Sequence, residues 1–208
     1  MTLMSKFRFL VLLLVAVLLA QNARAVVVDF EDLAHGTIYN VGDSFTTSGV
    51  VVTAEQFQQS DSTWYAGGQA TVQSDANAGG SGYEIHTNNI NLSFDFGSSC
   101  DGVSLMYADL GGNINLEING SLANVDNFNL LPPTLGGASI FTTPGDTGAL
   151  FVIGVVGDIN SFKIGGQELY IDNIVASVVP EPATVALLGA GALSLAIRRR
   201  RKLRKDYL

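Results

Sequence analysis

The stretch 89–97 reads Asn-Ile-Asn-Leu-Ser-Phe-Asp-Phe-Gly and alternates apolar and polar residues without a break. Ile90, Leu92, Phe94 and Phe96 therefore share one face at a period of two, the pattern of a half-buried strand. Residues 113–120 repeat it, with Ile114, Leu116 and Ile118 in phase. Both stretches contain Asn-Ile-Asn-Leu. Four residues are too few to mark a duplication, and similar strands of one sandwich would produce them anyway. Such segments need a second apolar layer, and helix-period patterns that might supply one are scarce in this chain.

The rest of the chain reads the same way. Strands are expected at 26–31, at 46–57 with Gly49 as a bulge, and at 64–74 with an interruption at Gly67-Gly68. Others fall at 103–110, 138–142 and 149–156. The last segment carries Phe162-Lys163-Ile164, a turn at Gly165-Gly166, and a strand over 168–175. Residues 75–82 and 124–137 read as loops. Roughly nine or ten short strands with turn signals between them predict an all-β fold, an antiparallel β-sandwich.

Two ends stand apart from this domain. Lys6 and Arg8 precede an apolar run over 9–20, and Ala23-Arg24-Ala25 fits a small-x-small cleavage pattern. Residues 1–25 are therefore expected to be a signal peptide removed by signal peptidase, leaving a 26–178 ectodomain. Of the chain's 19 acidic residues, all but Glu181 and Asp206 lie in 26–178, against one base, Lys163. That segment has a net charge of −16, while the whole chain has −8. Such a surface repels nucleic acid and anionic lipid and attracts divalent cations, although solubility in a crowded matrix would account for it as well. Cys100 is the only cysteine, so no internal disulfide forms. It is expected to be buried, at the end of a turn.

At the other end, Val179-Pro180-Glu181-Pro182 precedes an apolar run over 183–197. Seven basic residues follow: Arg198, Arg199, Arg200, Arg201, Lys202, Arg204 and Lys205. The two prolines hold the acidic motif extended and allow a helix to start at about Pro182. The run of 15 residues falls short of the roughly 20 of a full span, though snorkelling arginines extend it. The expected result is a single transmembrane helix with a cytoplasmic basic stop. An ordinary tail anchor would share these features, but not the Pro-Glu-Pro directly before the span. Residues 179–205 resemble the PEP-CTERM sorting signal of Gram-negative bacteria. The resemblance implies recognition and tail removal by an exosortase. It also implies a cell-surface or extracellular destination in an exopolysaccharide-producing, biofilm-forming organism.

Binding chemistry is less sharply marked. The opening Asp29-Phe30-Glu31-Asp32 and closing Tyr170-Ile171-Asp172-Asn173-Ile174 are similar to the first and last strands of jelly-roll carbohydrate-binding modules. That similarity implies that Glu31 and Asp172 share a structural calcium, completed by backbone carbonyls; the alternative is two solvated strand-end acids. Trp64-Tyr65, near Asp61, Ser62 and Gln69, is the best candidate glycan platform, although the sole tryptophan of a sandwich more often belongs to its core. Tyr83, Glu84 and His86 form a second polar–aromatic group. His35 and His86 lack recognisable catalytic partners, and G-x-S-x-G, H-E-x-x-H and P-loop motifs are missing. The expectation is a non-enzymatic exported protein, structural or adhesive in an exopolysaccharide layer. The alternatives are a calcium-stabilised glycan-binding module and, behind it, a polysaccharide hydrolase using two carboxylates.

Overall fold

The computed structural model describes residues 24–80, 82–155 and 158–179. These form sixteen strands, several of only two or three residues. The first half holds β1 (Arg24–Val28), β2 (Ile38–Asn40), β3 (Ser44–Thr47), β4 (Val50–Gln58), β5 (Trp64–Tyr65), β6 (Gln69–Gln73), β7 (Glu84–Asn88) and β8 (Ile90–Asp95). The second holds β9 (Cys100–Asp109), β10 (Ile114–Ile118), β11 (Ser121–Val125), β12 (Thr134–Leu135), β13 (Ala138–Thr142), β14 (Thr147–Ile153), β15 (Phe162–Gly166) and β16 (Leu169–Val178). Among the described residues no helix is long and apolar enough to cross a membrane. The expected tail helix, Pro180, Glu181, Pro182, the basic stop and most of the signal peptide lie outside the described residues.

The architecture is an antiparallel β-sandwich, as the alternation predicts. One sheet runs β12-β13-β14-β9-β16-β7-β6-β2, with β1 also paired to β16. The other runs β11-β10-β15-β8-β4-β3, with β5 attached to β4. Their inner faces supply one core, including Ile85, Leu105, Leu150, Ile171 and Ile174 from the first sheet and Leu92, Leu116, Phe162 and Ile164 from the second. Each fully buried side chain of this kind contributes about 1.5–3 kcal/mol, more than an exposed ion pair does. Phe128, on a short 3-10 turn, stacks on Tyr107 at 3.7 Å and closes part of the core.

The two Asn-Ile-Asn-Leu strands flank the same neighbour. Leu92 of β8 and Leu116 of β10 both stand opposite Ile164 of β15. Asn91 and Asn115 both stand opposite Gly165, and both are buried. Gly165-Gly166 is thus part of a central strand and not the expected turn. A Cβ at Gly165 would overlap the Ile90 carbonyl and crowd Asn91, so the glycine admits close strand approach.

Other boundaries also shift. The expected 46–57 strand is a hairpin, β3 and β4 paired with Thr47 opposite Val50. Ser48 and Gly49 have φ of 51° and 79°, the double positive φ of a tight hairpin turn, so Gly49 is not a bulge. The expected 64–74 strand divides between sheets, β5 joining β4 and β6 joining β2 and β7.

β16 organises the larger sheet. Its start pairs with β7 through Leu169–Ile171, its later part pairs with β1, and β9 runs along its other side. The register against β9 slips between Asp172 and Val175, and Asn173 has φ 48°. Buried positions accordingly change phase, from Leu169 and Ile171 to Ile174 and Ala176. An asparagine tolerates this left-handed backbone better than most residues do. The bulge stands where β16 passes from β7 to β1.

Candidate functional site

Three regions gather the chemistry the sequence suggests, and the first lies at the β16 bulge. Asp172 is only 2% exposed there, and its carboxylate accepts from the Asn173 N–H at 2.6 Å and the Asn173 side chain at 3.0 Å. Glu31 follows β1 and accepts from the Tyr83 N–H at 2.7 Å. The glycine-rich loop before β7 reaches both acids. A Cβ at Gly80 would overlap Asp172 Oδ2, and one at Gly82 would overlap the Glu31 carboxylate. At Gly80 and Gly82 no side chain fits against these oxygens.

Glu84, at the start of β7, fixes that loop from beneath. It is buried and accepts from the backbone N–H groups of Asn77 at 3.0 Å and Ala78 at 2.8 Å. Glu84 is therefore a loop anchor and not the exposed sugar-contacting group expected beside Tyr83 and His86. His86 is stacked on Tyr170 at 4.3 Å. Burial pushes the Asp172 carboxyl up to about 6, and the Glu84, Glu31 and Asp29 carboxylates add to it against the opposing Asn173 N–H. Asp29 and Asp32 serve the β3–β4 turn: Asp29 accepts from the Ser48 hydroxyl at 3.1 Å, Asp32 from the Thr47 hydroxyl at 2.6 Å and the Ser48 N–H at 2.8 Å.

An oxygen-only donor set suits a hard cation such as calcium, and Gly80 brings backbone to Asp172 while Gly82 brings it to Glu31. Among the described residues no three His, Cys, Asp or Glu side chains gather closely enough to hold an ion by themselves. A bound ion would therefore need backbone oxygens beside Glu31 and Asp172.

The second region is the β4–β5 hairpin. Gln58 pairs with Trp64 and Phe57 with Tyr65, and Gln59 N–H closes the turn onto the Thr63 carbonyl at 2.8 Å. Trp64 is 51% exposed and Tyr65 46% exposed, so the sole tryptophan lies outside the core. Side-chain amides hold the hairpin base. Asn91 donates to the Gln56 carbonyl at 2.7 Å, Asn124 to the Gln58 carbonyl at 2.7 Å, and Gln59 to Asn89 Oδ1 at 2.9 Å. Gly67 leaves room for the Tyr65 ring. Asp61, Ser62 and Gln69 are exposed nearby. The sequence marks Asn91 as outward-facing, yet it is fully buried because this hairpin depends on its amide.

Cys100 opens β9 with no exposed surface, and burial pushes its thiol up to about 11. It stays protonated and unreactive at neutral pH.

The third region is the end of β16. Val178 pairs with Arg24 on one side and Cys100 on the other, and the Val179 N–H donates to the Ser99 carbonyl at 2.9 Å. Pro180 follows at once. Residues 178–201 match the family model of the PEP-CTERM protein-sorting motif. The tail is a PEP-CTERM sorting motif. It marks the chain as an exosortase substrate, exported to a cell-surface or membrane-associated destination. No curated protein and no solved structure matches the chain.

Proposed function

We propose that this PEP-CTERM protein is a non-catalytic structural or adhesive component of an extracellular polysaccharide layer. In this reading signal peptidase removes residues 1–25, the tail helix anchors the chain in the membrane, and exosortase then processes the tail. The β-sandwich meets the polysaccharide through Trp64 and Tyr65. The observation that carries the reading is the 51% exposure of the sole tryptophan on a hairpin that amide side chains lock in place. A rigid, half-exposed indole beside polar groups suits stacking on a sugar face with hydroxyls hydrogen-bonded at the rim. The test is retention of the protein on the polysaccharide of its own host. Trp64→Ala should weaken retention by about tenfold, the ~1.4 kcal/mol scale of one lost ring contact, with the melting temperature nearly unchanged. Equal retention by the variant rejects the platform.

A second reading has its own observation. Gly80 lies against Asp172 and Gly82 against Glu31, which supports a structural calcium that joins their loop to β16 and stabilises the domain.

A further inference from the structure

The outer faces of the two sheets differ in charge. On the β8-bearing sheet, Glu55, Asp95, Glu117 and Lys163 alternate with the buried positions and point away from the core. On the β16-bearing sheet, the register sets Phe141, Phe151, Ser104, Val175 and Val27 in one row across β13, β14, β9, β16 and β1. The next row holds Ser139, Ile153, Gly102 and Ser177. The alternate residues Ile140, Leu150, Val152, Val103 and Leu105 are buried, so both rows face outward. No position in either row is charged. Phe141, Phe151, Ile153 and Val27 are all exposed. Elsewhere on this face Gly79 and Gly80 lie against Met106 and Asp172. The two rows have no such cover among the described residues.

We propose that this uncharged face docks onto the same face of a second copy of the chain. Charge selects the occupant. Residues 26–178 carry a net charge of −16, so two copies repel each other and anionic lipid over most of their surface. The two rows are where copies meet without setting carboxylate against carboxylate. A two-fold axis along β9 makes the contact self-complementary. It places Phe151 and Phe141 of one copy over Val175 and Val27 of the other, large against small, with Ser104 facing its own counterpart. Face-to-face sheets interdigitate side chains in this way. Five strands about 4.8 Å apart and two rows about 7 Å apart cover roughly 300 Å². That is the size of an exposed patch that marks a contact, but less than the ~800 Å² per partner of a stable complex. The contact is therefore weak in dilute solution and becomes populated where chains are concentrated on one surface, the destination that the sorting motif gives them. It uses neither Trp64 nor Tyr65, which lie on the hairpin attached to the other sheet.

The test is thiol cross-linking of the full-length chain on cells of its host, with a short bis-maleimide. Cys100 is buried and gives no background. Ser104→Cys should yield a cross-linked dimer, whereas Thr46→Cys, exposed on the outer face of the other sheet, should not. Adding Phe151→Glu or Phe141→Glu to Ser104→Cys should cut the dimer roughly tenfold, because like charges then oppose each other across the contact. Both phenylalanines are exposed, so neither change empties the core. Raising sodium chloride from about 0.01 to about 0.5 M should increase the dimer by screening the repulsion between two acidic domains. Equal dimer from Ser104→Cys and Thr46→Cys would reflect crowding alone and overturn the proposal. A dimer that dissolves in salt overturns it too, since ion pairs would then hold the copies. If Ser104→Cys gives no dimer, a bulky hydrophilic maleimide separates the remaining cases, and both reject a second copy. Ready labelling means that the face is bare, and protection from labelling means that lipid, glycan or another protein covers it.

Discussion

Asp172 couples burial and charge at one residue. Its carboxyl is raised from an ordinary 3.8 to about 6, so between those values the folded chain binds more protons than the unfolded one. Stability contributed through this group is therefore present at low pH and is lost as pH rises through that window. A shift of this size corresponds to at most about 3 kcal/mol. Asp32 works in the opposite sense: its hydrogen bonds from Thr47 and Ser48 lower its pKa, so acid removes their contribution. The informative quantity is the difference between wild type and Asp172→Asn. In metal-free urea titrations from pH 4 to 7.5, wild type should lose about 1–3 kcal/mol relative to the variant. Millimolar calcium should restore wild type at pH 7.5, because a bound cation favours the ionised form, and should leave the variant unchanged. Parallel pH profiles would mean that Asp172 ionises freely in the folded chain. Full recovery of wild type by magnesium would argue against a calcium-selective site.

Among the elements, β15 shows how one small residue sets the spacing of three strands. Gly165 faces Asn91 on one side and Asn115 on the other, with no room for a Cβ against the Ile90 carbonyl. Gly165→Ala should push β8 from β15 and cost about 1–3 kcal/mol, read from a denaturation midpoint. A midpoint within error of wild type would show that the strands shift apart freely. The same glycine marks where sequence reading fails. Period-two alternation locates β8 and β10 and their buried faces, because that signal is local. Gly-Gly reads as a turn equally well whether it breaks a strand or lets two strands close in, and only the partner decides. Gly49 fails in the reverse sense: Ser48 beside it also adopts positive φ, and the pair makes a hairpin from one apparent strand. At β16 the clue is present in Ile171-Asp172-Asn173-Ile174, where two polar residues break the alternation. A phase break of that kind predicts the bulge, and with it the burial of Asp172. Trp64 lies outside such rules, since its exposure depends on amides contributed by β8 and β11.

For the whole domain the governing fact is charge. Lys163 is the single base in 26–178, and it is already engaged, 2.6 Å from Glu55 and 3.2 Å from Glu117. Against that one base the segment carries 17 acidic residues. Their mutual repulsion opposes the compact state and weakens as salt shortens the screening length from about 30 Å at 0.01 M to about 10 Å at 0.1 M. Raising sodium chloride from 0.01 to 0.5 M should therefore raise the melting temperature by about 3–8 °C, the response of a domain of this size to one or two kcal/mol. Potassium chloride should act equally, because diffuse screening does not distinguish the ions. Calcium added at high salt separates the two effects: screening is then exhausted, and any further rise that Asp172→Asn abolishes belongs to the bulge. A melting temperature indifferent to salt would mean that the carboxylates are spaced too widely to repel. The acidic surface would then bear on solubility and partner choice without opposing the fold.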